Sequence, residues 1–299
     1  MTLTELKYVV AVAEARHFGH AAERCFVSQP SLSASVKNLE EELGVKLFER
    51  SKRGVFLTEA GEQIVAQARR ALEEADRVKT VARQGRDPLK GVLRLGIIHT
   101  IAPYLLPDLV GALRRSAPEM PLDVEENTTA TLDRMLKAGE LEAVILALPY
   151  EGPGIETVPL YEEMFRVVTP AKHALARRKS VAVEELDAGE LLLLPVGHCF
   201  RDQVLDACLE FSRPPEAGRQ GNSLETLRSM VASGLGVSVL PATALTPRHA
   251  NPLVKAIEFS DPCPVRRVAL ASRRGFHRPA ALEKLVGAIR GLDLPVTRL

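Results

Sequence analysis

The stretch FGHAAERCFVSQPSLSASVKNLEEELGVKLFER, residues 18 to 50, followed by LTEAG at 57 to 61, decides the fold of the N-terminal part of the chain. Apolar residues at helical spacing predict a helix over LTELKYVVAVAEA, a short one over AAERCF and a longer third one. Gly44 ends the third helix, as a residue that tolerates a left-handed backbone. The apolar stripe of this third helix consists of Leu32, Val36, Leu39 and Leu43.

The first turn of the third helix carries compact hydrogen-bonding groups. Side chains of this kind reach base edges when a helix N-terminus enters the major groove, and helix N-terminal amides suit phosphate. The plain alternative is a helix N-cap at Ser28 with a solvated first turn. The polar and turn-forming residues concerned are Ser28, Gln29, Pro30, Ser31, Ser33 and Lys37.

The segment VKLFERSKRGVFLT, residues 45 to 58, has two short apolar pieces around a basic tip. This pattern predicts a β-hairpin, or wing, whose cations suit the DNA backbone. A heptad-like seam with Ile64 and Val78 then runs along one helix from Thr58 to about Arg83, roughly 40 Å long. A helix of this length predicts pairing with a second copy, and residues 85 to 88 predict a linker.

The rest of the chain alternates strands and helices. The order GVLRLGIIH, PYLLPDLVGALRRSAP, PLDVEEN, ATLDRMLKAGE, LEAVILAL predicts a β-α-β-α-β unit with a parallel sheet. A second set of elements, including LLLLP and GVSVLP, runs from about 165 to 257. We expect the strand VRRVALAS and the helix over 279 to 290 to return to the first set. The fold class is therefore α/β, with two lobes.

Polar residues follow three of these strands. Ligands bind beyond the carboxyl ends of parallel strands, so these residues should share one crevice. The plain alternative for each threonine is a helix N-cap. The residues are His99 and Thr100 after the first strand, Thr128 and Thr129 after the second, and His198 and Cys199 after LLLLP.

The four cysteines are expected to be thiols in a reducing compartment. Cys25 and Cys208 each fit a small buried hydrophobe, whereas Cys199 has polar neighbours that favour a reactive thiolate. Such a thiolate can reduce a peroxide and become a sulfenic acid, which a second thiol converts to a disulfide. The spacing does not fit zinc, because His198 and Cys199 are adjacent and lack a second close pair.

The nine steps along the chain from Cys199 to Cys208 carry a structural constraint. In a helix they place the two side chains on opposite faces, roughly 13 Å apart along the axis. A disulfide needs Cα atoms within about 7 Å, so an intact helix and the cross-link exclude each other. An oxidative switch follows from this exclusion if these two thiols react.

Composition narrows the setting. The formal net charge of +1 gives no bulk signal for nucleic acid or membrane. No apolar run reaches the ~18 residues that span a bilayer, and the N-terminus lacks a signal-peptide layout, so a cytoplasmic protein is expected. We predict no cofactor and no metal.

The chain resembles the LysR-type transcriptional regulators in the stretch from residue 18 to residue 50 and in LTEAG at 57 to 61. The resemblance implies a winged helix-turn-helix domain at 1–58, a linker and dimerisation helix at 59–88, and a redox-sensing effector domain at 89–299. That effector domain would be two-lobed and similar to periplasmic binding proteins. The implied DNA-contacting residues are Ser28, Gln29, Pro30, Ser31, Ser33, Lys37, Arg50 and Arg53.

Within that family, GHCFRDQVLDAC at 197 to 208 is similar to the segment of its peroxide-sensing members. The resemblance implies that Cys199 reacts with hydrogen peroxide and that Cys208 resolves the product into a disulfide. Two departures concern a loop histidine, replaced near Gly218, and Glu142, where the subgroup often has aspartate; the second is expected to affect the placement of the pocket. The implied peroxide-pocket residues are Thr100, Thr129, His198, Arg201 and Asp202.

The resemblance also implies partners. These are double-stranded promoter DNA, hydrogen peroxide, further copies in a homodimer or homotetramer, RNA polymerase, and a thiol reductant such as glutaredoxin or thioredoxin. A regulator rather than an enzyme is expected. Two alternatives stay open: a LysR-type regulator that binds a small organic effector, and a thiol peroxidase, which the winged unit disfavours.

Overall fold

A computed structural model of the chain describes residues 1–51, 54–84, 87–207 and 220–299. The chain divides into two compact units, Met1–Asp87 and Pro88–Leu299. Across these described ranges no helix has the length and apolar character that crossing a bilayer requires.

The N-terminal unit folds around one apolar core. Thr2 starts the first helix with a capping box to Glu5, and Ser28 caps the third helix by accepting from the Ser31 amide. Gly44 closes the third helix at φ +70°, where a side chain would be strained. The elements are α1 (Leu3–Ala15), α2 (Phe18–Arg24), α3 (Gln29–Leu43), β1 (Phe48–Ser51), β2 (Gly54–Leu57) and α4 (Glu59–Gln84).

The first half of the α4 stripe packs within its own unit. Ala68 is buried, and Ile64 and Ala71 lie half-buried against the same core as α1 and α3. Val78, two turns further on, is 69% exposed. The first half of the seam therefore packs within its own unit, whereas Val78 does not. Pairing with a second copy stays a prediction.

The C-terminal unit contains the expected alternation of strands and helices. Its 3-10 turns are Ala174–Arg177, Val183–Glu185, Ala188–Glu190, Ala242–Leu245 and Pro247–His249. Its strands and helices are β3 (Leu93–Ile98), α5 (Ala102–Ser116), β4 (Leu122–Asn127), α6 (Thr129–Ala138), β5 (Ala143–Leu148), β6 (Ile155–Pro170), β7 (Ser180–Val181), β8 (Leu191–Leu192), α7 (Cys199–Ala207), α8 (Leu224–Ala232), β9 (Val237–Pro241), β10 (Val254–Phe259), β11 (Val265–Arg273), α9 (Pro279–Arg290) and β12 (Thr297–Arg298).

Two cores divide this unit into a first lobe (88–164 and 265–299) and a second lobe (165–207 and 220–264). In the first lobe β4 and β5 flank β3 in parallel, which confirms the predicted β-α-β-α-β order. β11 and α9 contribute Val268 and Leu285 to the same core, so the predicted return of the chain is confirmed.

The strand β6 joins the two lobes. Its first part pairs antiparallel with β11 up to Met164, and its last residues pair with β9 and β10 from Phe165 onward. Sixteen residues thus serve two sheets. The sheets are mixed because β11 and β6 run against the parallel strands.

The strand predicted over LLLLP is shorter than expected. Only Leu191 and Leu192 pair with β9, and Leu193 adds a single bridge to Gln220. Leu193 and Leu194 are still buried, because this apolar run fills the second core whether or not it pairs. The strand therefore ends well before Cys199, which begins the helix α7.

Candidate functional site

The first turn of α3 is an exposed polar surface on a fixed helix. Leu32 and Val36 are buried beneath it, whereas Gln29 and Ser31 are exposed. Ser28 serves as the N-cap, and its Oγ also lies 2.8 Å from Ser31 Oγ. Ser28 is therefore the N-cap of α3, as the plain alternative predicted. The neighbouring side chains do not cap the helix. The other predicted residues on this helix are Pro30, exposed, Ser33, half-buried, and Lys37, exposed.

The hairpin is attached to α3 by a carboxylate that sequence reasoning missed. Glu40 is buried and accepts hydrogen bonds from the amides of Leu47 (2.8 Å) and Phe48 (3.2 Å) and from Lys46 Nζ (2.9 Å). Burial raises the pKa of this carboxyl, but these donors outweigh burial and hold the pKa below its usual value. The sequence signal for this role is that Glu40 directly follows Leu39, which belongs to the apolar stripe of the third helix.

The wing itself is only partly described. β1 pairs antiparallel with β2, and Arg50 lies opposite Val55. Lys52 and Arg53 at the predicted basic tip lie outside the described residues. The roles of Arg50 and Arg53 on DNA stay predictions.

In the C-terminal unit a small cavity of about 10 Å³ lies where β3, β4 and the start of α7 meet. The structure brings Thr100, Thr129, His198 and Cys199 together there. Space of this size suits one water-sized molecule. The residues around it are Ile98, His99, Thr100, Asn127, Thr128, Thr129, His198, Cys199 and Phe200.

Thr100 is held by a buried cation. Arg266 of β11 donates from Nη1 to Thr100 Oγ1 (2.9 Å) and from Nη2 to the Thr100 carbonyl (3.1 Å). It also forms an ion pair with Glu163 of β6 at 2.7 Å, and both side chains are fully buried. The guanidinium carbon lies 5.2 Å from the centre of the Phe200 ring. Arg266 and Glu163 were not among the predicted residues.

The two threonines after β4, Thr128 and Thr129, have different roles. Thr128 caps α6, since its side chain accepts from the Thr131 amide. Thr129 Oγ1 is buried and has no hydrogen-bond partner among the described atoms. A buried hydroxyl without a partner costs free energy unless a bound molecule satisfies it. Thr129 is thus the hydroxyl with capacity for a ligand in this cavity.

Cys199 begins α7 with its side chain half-buried. It packs against the first core, whereas Phe200 and Val204 belong to the second core, so α7 starts where the lobes meet. Burial lowers the pKa of the preceding His198, and nearby His99 lowers it further. This imidazole is therefore neutral near physiological pH.

Two predicted positions do not line the cavity. Arg201 Nη1 donates to the Leu194 carbonyl (3.0 Å), and Asp202 is exposed on the first turn of α7, so neither lines the cavity. Cys208 lies outside the described residues, as do Gly218 and Arg219.

Glu142 lies at the opposite end of the strands from the cavity. It precedes β5, and its Oε2 accepts from the Arg94 amide at 3.0 Å. The cavity is at the carboxyl ends of β3 and β4, and Glu142 does not line it, so its expected effect on the pocket stays a prediction. Its side chain instead ties the starts of β3 and β5 together.

The remaining cysteines are structural in character. Cys25 packs on the core of the N-terminal unit, and burial raises the pKa of its thiol. Burial also raises the pKa of Cys263, which packs on the second core. Over the described ranges no group of three or more His, Cys, Asp or Glu side chains is arranged to hold a metal.

Comparisons with known proteins agree with this architecture. The family described as "Bacterial regulatory helix-turn-helix protein, lysR family" matches residues 3–62, and "LysR substrate binding domain" matches 86–292. A "Probable hydrogen peroxide-inducible genes activator" of Streptomyces viridosporus is 43% identical over 301 residues, which covers 99% of this chain and 96% of that protein. The "DNA-binding transcriptional dual regulator OxyR" of Escherichia coli K12 is 39% identical, over 97% of this chain and 95% of that one.

Solved structures give the same answer. A full-length OxyR mutant from Pseudomonas aeruginosa superposes with a TM-score of 0.79 at 49% identity, covering 98% of this chain and 99% of that chain. A hydrogen peroxide-bound OxyR mutant from Corynebacterium glutamicum gives 0.66 at 35% identity, covering 97% and 91%. The predicted α/β fold class with an N-terminal helix-turn-helix is confirmed. The chain belongs to the lysR family of bacterial regulatory helix-turn-helix proteins, and within that family to the OxyR group.

Proposed function

We propose that this chain is a DNA-binding transcriptional regulator that senses hydrogen peroxide through Cys199 and a reversible Cys199–Cys208 disulfide, and so controls antioxidant genes. The observation that carries the proposal is the Cys199 cavity. It is about 10 Å³ in volume, and it has an unsatisfied hydroxyl at Thr129. A molecule as small as hydrogen peroxide fits such a space, and its oxygens can satisfy that hydroxyl.

The chemistry needs two thiols. The Cys199 thiolate attacks one peroxide oxygen, the O–O bond breaks, and sulfur is oxidised to sulfenic acid while the second oxygen leaves as water. The Cys208 thiol then condenses with the sulfenic acid, which forms the disulfide and releases another water. The positive end of the α7 dipole favours the negative charge that Cys199 carries before the attack.

The disulfide changes the fold locally. α7 is helical from Cys199 to Ala207, which spans roughly 12 Å along its axis. Bonded cysteines need Cα atoms within about 7 Å, so α7 has to unwind for Cys208 to reach Cys199. Phe200 and Val204 then leave the second core. Formation of the disulfide thereby changes the packing of the whole second lobe.

The N-terminal unit supplies the output. Its exposed α3 turn reads base edges of promoter DNA, with Gln29 and Ser31 foremost, and Lys37, Arg50 and Arg53 contact phosphates. The chain works in the cytoplasm as a homodimer or homotetramer. It acts on RNA polymerase and is reduced again by glutaredoxin or thioredoxin. The exposed Val78 on α4 supports pairing of copies.

A groove of about 1120 Å³ favours a second candidate function, the binding of a small organic effector. It lies away from Cys199, between the end of β5 and the segment before β11, with Gln203 on one side. Its size suits a metabolite far larger than peroxide. An effector there would leave regulation independent of Cys199.

The test is thiol mass spectrometry after one equivalent of peroxide, with DNA footprints of reduced and oxidised protein. The proposal predicts a Cys199–Cys208 linked peptide and a changed footprint, both lost in Cys199→Ser and kept in Cys263→Ser. A Cys199→Ser variant that still responds to peroxide would overturn the proposal. Continuous peroxide turnover independent of DNA would instead support a thiol peroxidase.

A further inference from the structure

A histidine that neither the motif nor the proposed chemistry uses lies at the mouth of the Cys199 cavity. His99 stands between the last residue of β3 and Thr100, and it lines the cavity. Its Nδ1 lies 3.1 Å from Glu126 Oε1, at the end of the neighbouring strand β4. The His99 side chain is 34% exposed, so it borders both the cavity and solvent.

The cavity has few groups that can deliver a proton. Of the residues described around it, His99, His198 and Cys199 titrate. Burial and then His99 lower the pKa of His198, which favours the neutral form of that imidazole. Arg266 beneath Thr100 is charged, but a guanidinium does not release its proton in proteins. His99 is the remaining donor.

The two imidazoles are close enough to act together. The ring centres of His99 and His198 are 5.5 Å apart, with an angle of 46° between the planes. Two cations at this distance repel each other, so the pair holds one proton more readily than two. Glu126 is the carboxylate on the His99 side, and its Oε1 holds the His99 ring through Nδ1 at 3.1 Å.

We propose that His99, held by Glu126, donates the proton that the leaving oxygen takes when Cys199 reduces hydrogen peroxide. The step rests on the function proposed above. The Cys199 thiolate forms an S–O bond and gives up two electrons, the O–O bond breaks, and the departing hydroxide takes the His99 proton to leave as water. Cys199 becomes a sulfenic acid, and neutral His99 is protonated again from solvent.

This assignment has a signature in the pH dependence of Cys199 oxidation. A thiolate nucleophile makes the rate rise with pH, and a general acid makes the rate fall above the pH at which that acid is deprotonated. The titratable groups recorded against His99 are Glu126 on β4 and, from the segment that starts α7, His198 and Cys199. A purely structural role for His99 would not produce the falling limb.

The experiment measures the rate of Cys199 thiol loss in the reduced full-length chain, by alkylation and mass spectrometry, from about pH 5 to pH 9. His99→Asn keeps an amide donor near the position of Nδ1 but cannot titrate. Glu126→Gln removes the carboxylate. Asp123→Asn, on an exposed residue of the same strand β4, is the matched control. Far-UV circular dichroism and thermal unfolding report that each variant is folded.

For His99→Asn we expect the maximal rate to fall by about a hundredfold, the lower end of what general acids contribute, and the falling limb to disappear. In Glu126→Gln the maximal rate falls because the His99 ring loses the carboxylate that holds it, and in the control the rate does not change. A His99→Asn profile that keeps the wild-type falling limb would overturn the inference. Wild-type Cys199 that does not react with peroxide at all would instead overturn the proposed function.

Discussion

The guanidinium of Arg266 lies over the ring of Phe200, with 5.2 Å between the guanidinium carbon and the ring centre. The same side chain donates to Thr100 and is neutralised by Glu163. One buried residue therefore contacts both the cavity and the helix that has to unwind. When Phe200 leaves the core, Arg266 loses a packing partner next to the site where oxidation began.

Replacing Arg266 with lysine should slow the reaction of Cys199 with peroxide and destabilise the reduced protein. Lysine keeps a charge for Glu163, but it cannot also direct two fixed donors at Thr100. We expect a loss of about 1–3 kcal/mol in the free energy of unfolding, because buried acceptors lose donors. Thermal unfolding and stopped-flow oxidation measure the two effects.

Arg267→Lys is the matched control for this substitution. Arg267 is the next residue, and its exposed side chain pairs with Glu162 at 3.0 Å. An exposed ion pair contributes about 0–1 kcal/mol, so little change is expected. Equal effects of the two substitutions would contradict the assignment of Arg266 to the cavity.

Phe200→Leu should make the disulfide easier to form. Phe200 is buried in the reduced form and packs edge-to-face on Phe165 at 5.0 Å between ring centres. The smaller side chain should destabilise the reduced form by about 1 kcal/mol. For a two-electron couple this lowers the reduction potential by roughly 20 mV.

The potential is measured by equilibration in glutathione buffers, with Phe259→Leu as the control. Phe259 is also buried in the second core but lies on β10, outside α7. Its loss should affect reduced and oxidised forms alike and leave the potential in place. A Phe200→Leu potential equal to wild type would show that α7 packing does not oppose the disulfide.

Glu40→Gln should weaken the attachment of the wing in a pH-dependent way. The folded-state pKa of Glu40 is held below its usual value, so its stabilisation is present above that usual value and is lost as pH falls through the folded pKa. We expect a loss of about 1–3 kcal/mol near neutral pH, which shrinks in acid. Glu41→Gln, exposed on the same helix, is the control for unfolding curves measured from neutral to acid pH.

Gln29 and Lys37 should differ in their effects on DNA binding. Gln29→Ala should cost about 1–3 kcal/mol on the cognate operator and relax preference at one base pair. Lys37→Ala should weaken all sequences alike and reduce the slope of log affinity against log salt by about 1. Titrations of cognate and scrambled duplexes at several salt concentrations separate the two. Loss of selectivity in Lys37→Ala would contradict its assignment to phosphate.

Whether a feature of the site was predictable from the sequence depended on whether a local sequence pattern specifies it. Helix periodicity predicted α3, and the rule for strand ends predicted that Thr100, Thr129 and Cys199 would meet. The pairing of Arg266 with Glu163 joins residues 103 positions apart, and no local pattern specifies it. The one sign of this pair in the sequence is that Arg266 has the same alternation as Val268, so both lie on the inward face of β11.

Other differences have local causes. The run LLLLP predicted a full strand, but the chain turns toward α7 after Leu192, since burial rather than pairing holds the last leucines. Arg201 was expected in the cavity because the family resemblance implied it. One turn of helix points it back to the Leu194 carbonyl instead.

The central claim is that the Cys199–Cys208 disulfide and the helix α7 exclude each other. Hydrogen exchange read by mass spectrometry on the peptide containing residues 199 to 207, before and after one equivalent of peroxide, tests it most directly. The account predicts that the disulfide-linked peptide appears and that the amides of α7 lose their protection together with it. A disulfide that forms while these amides stay as protected as in the reduced protein would contradict the account.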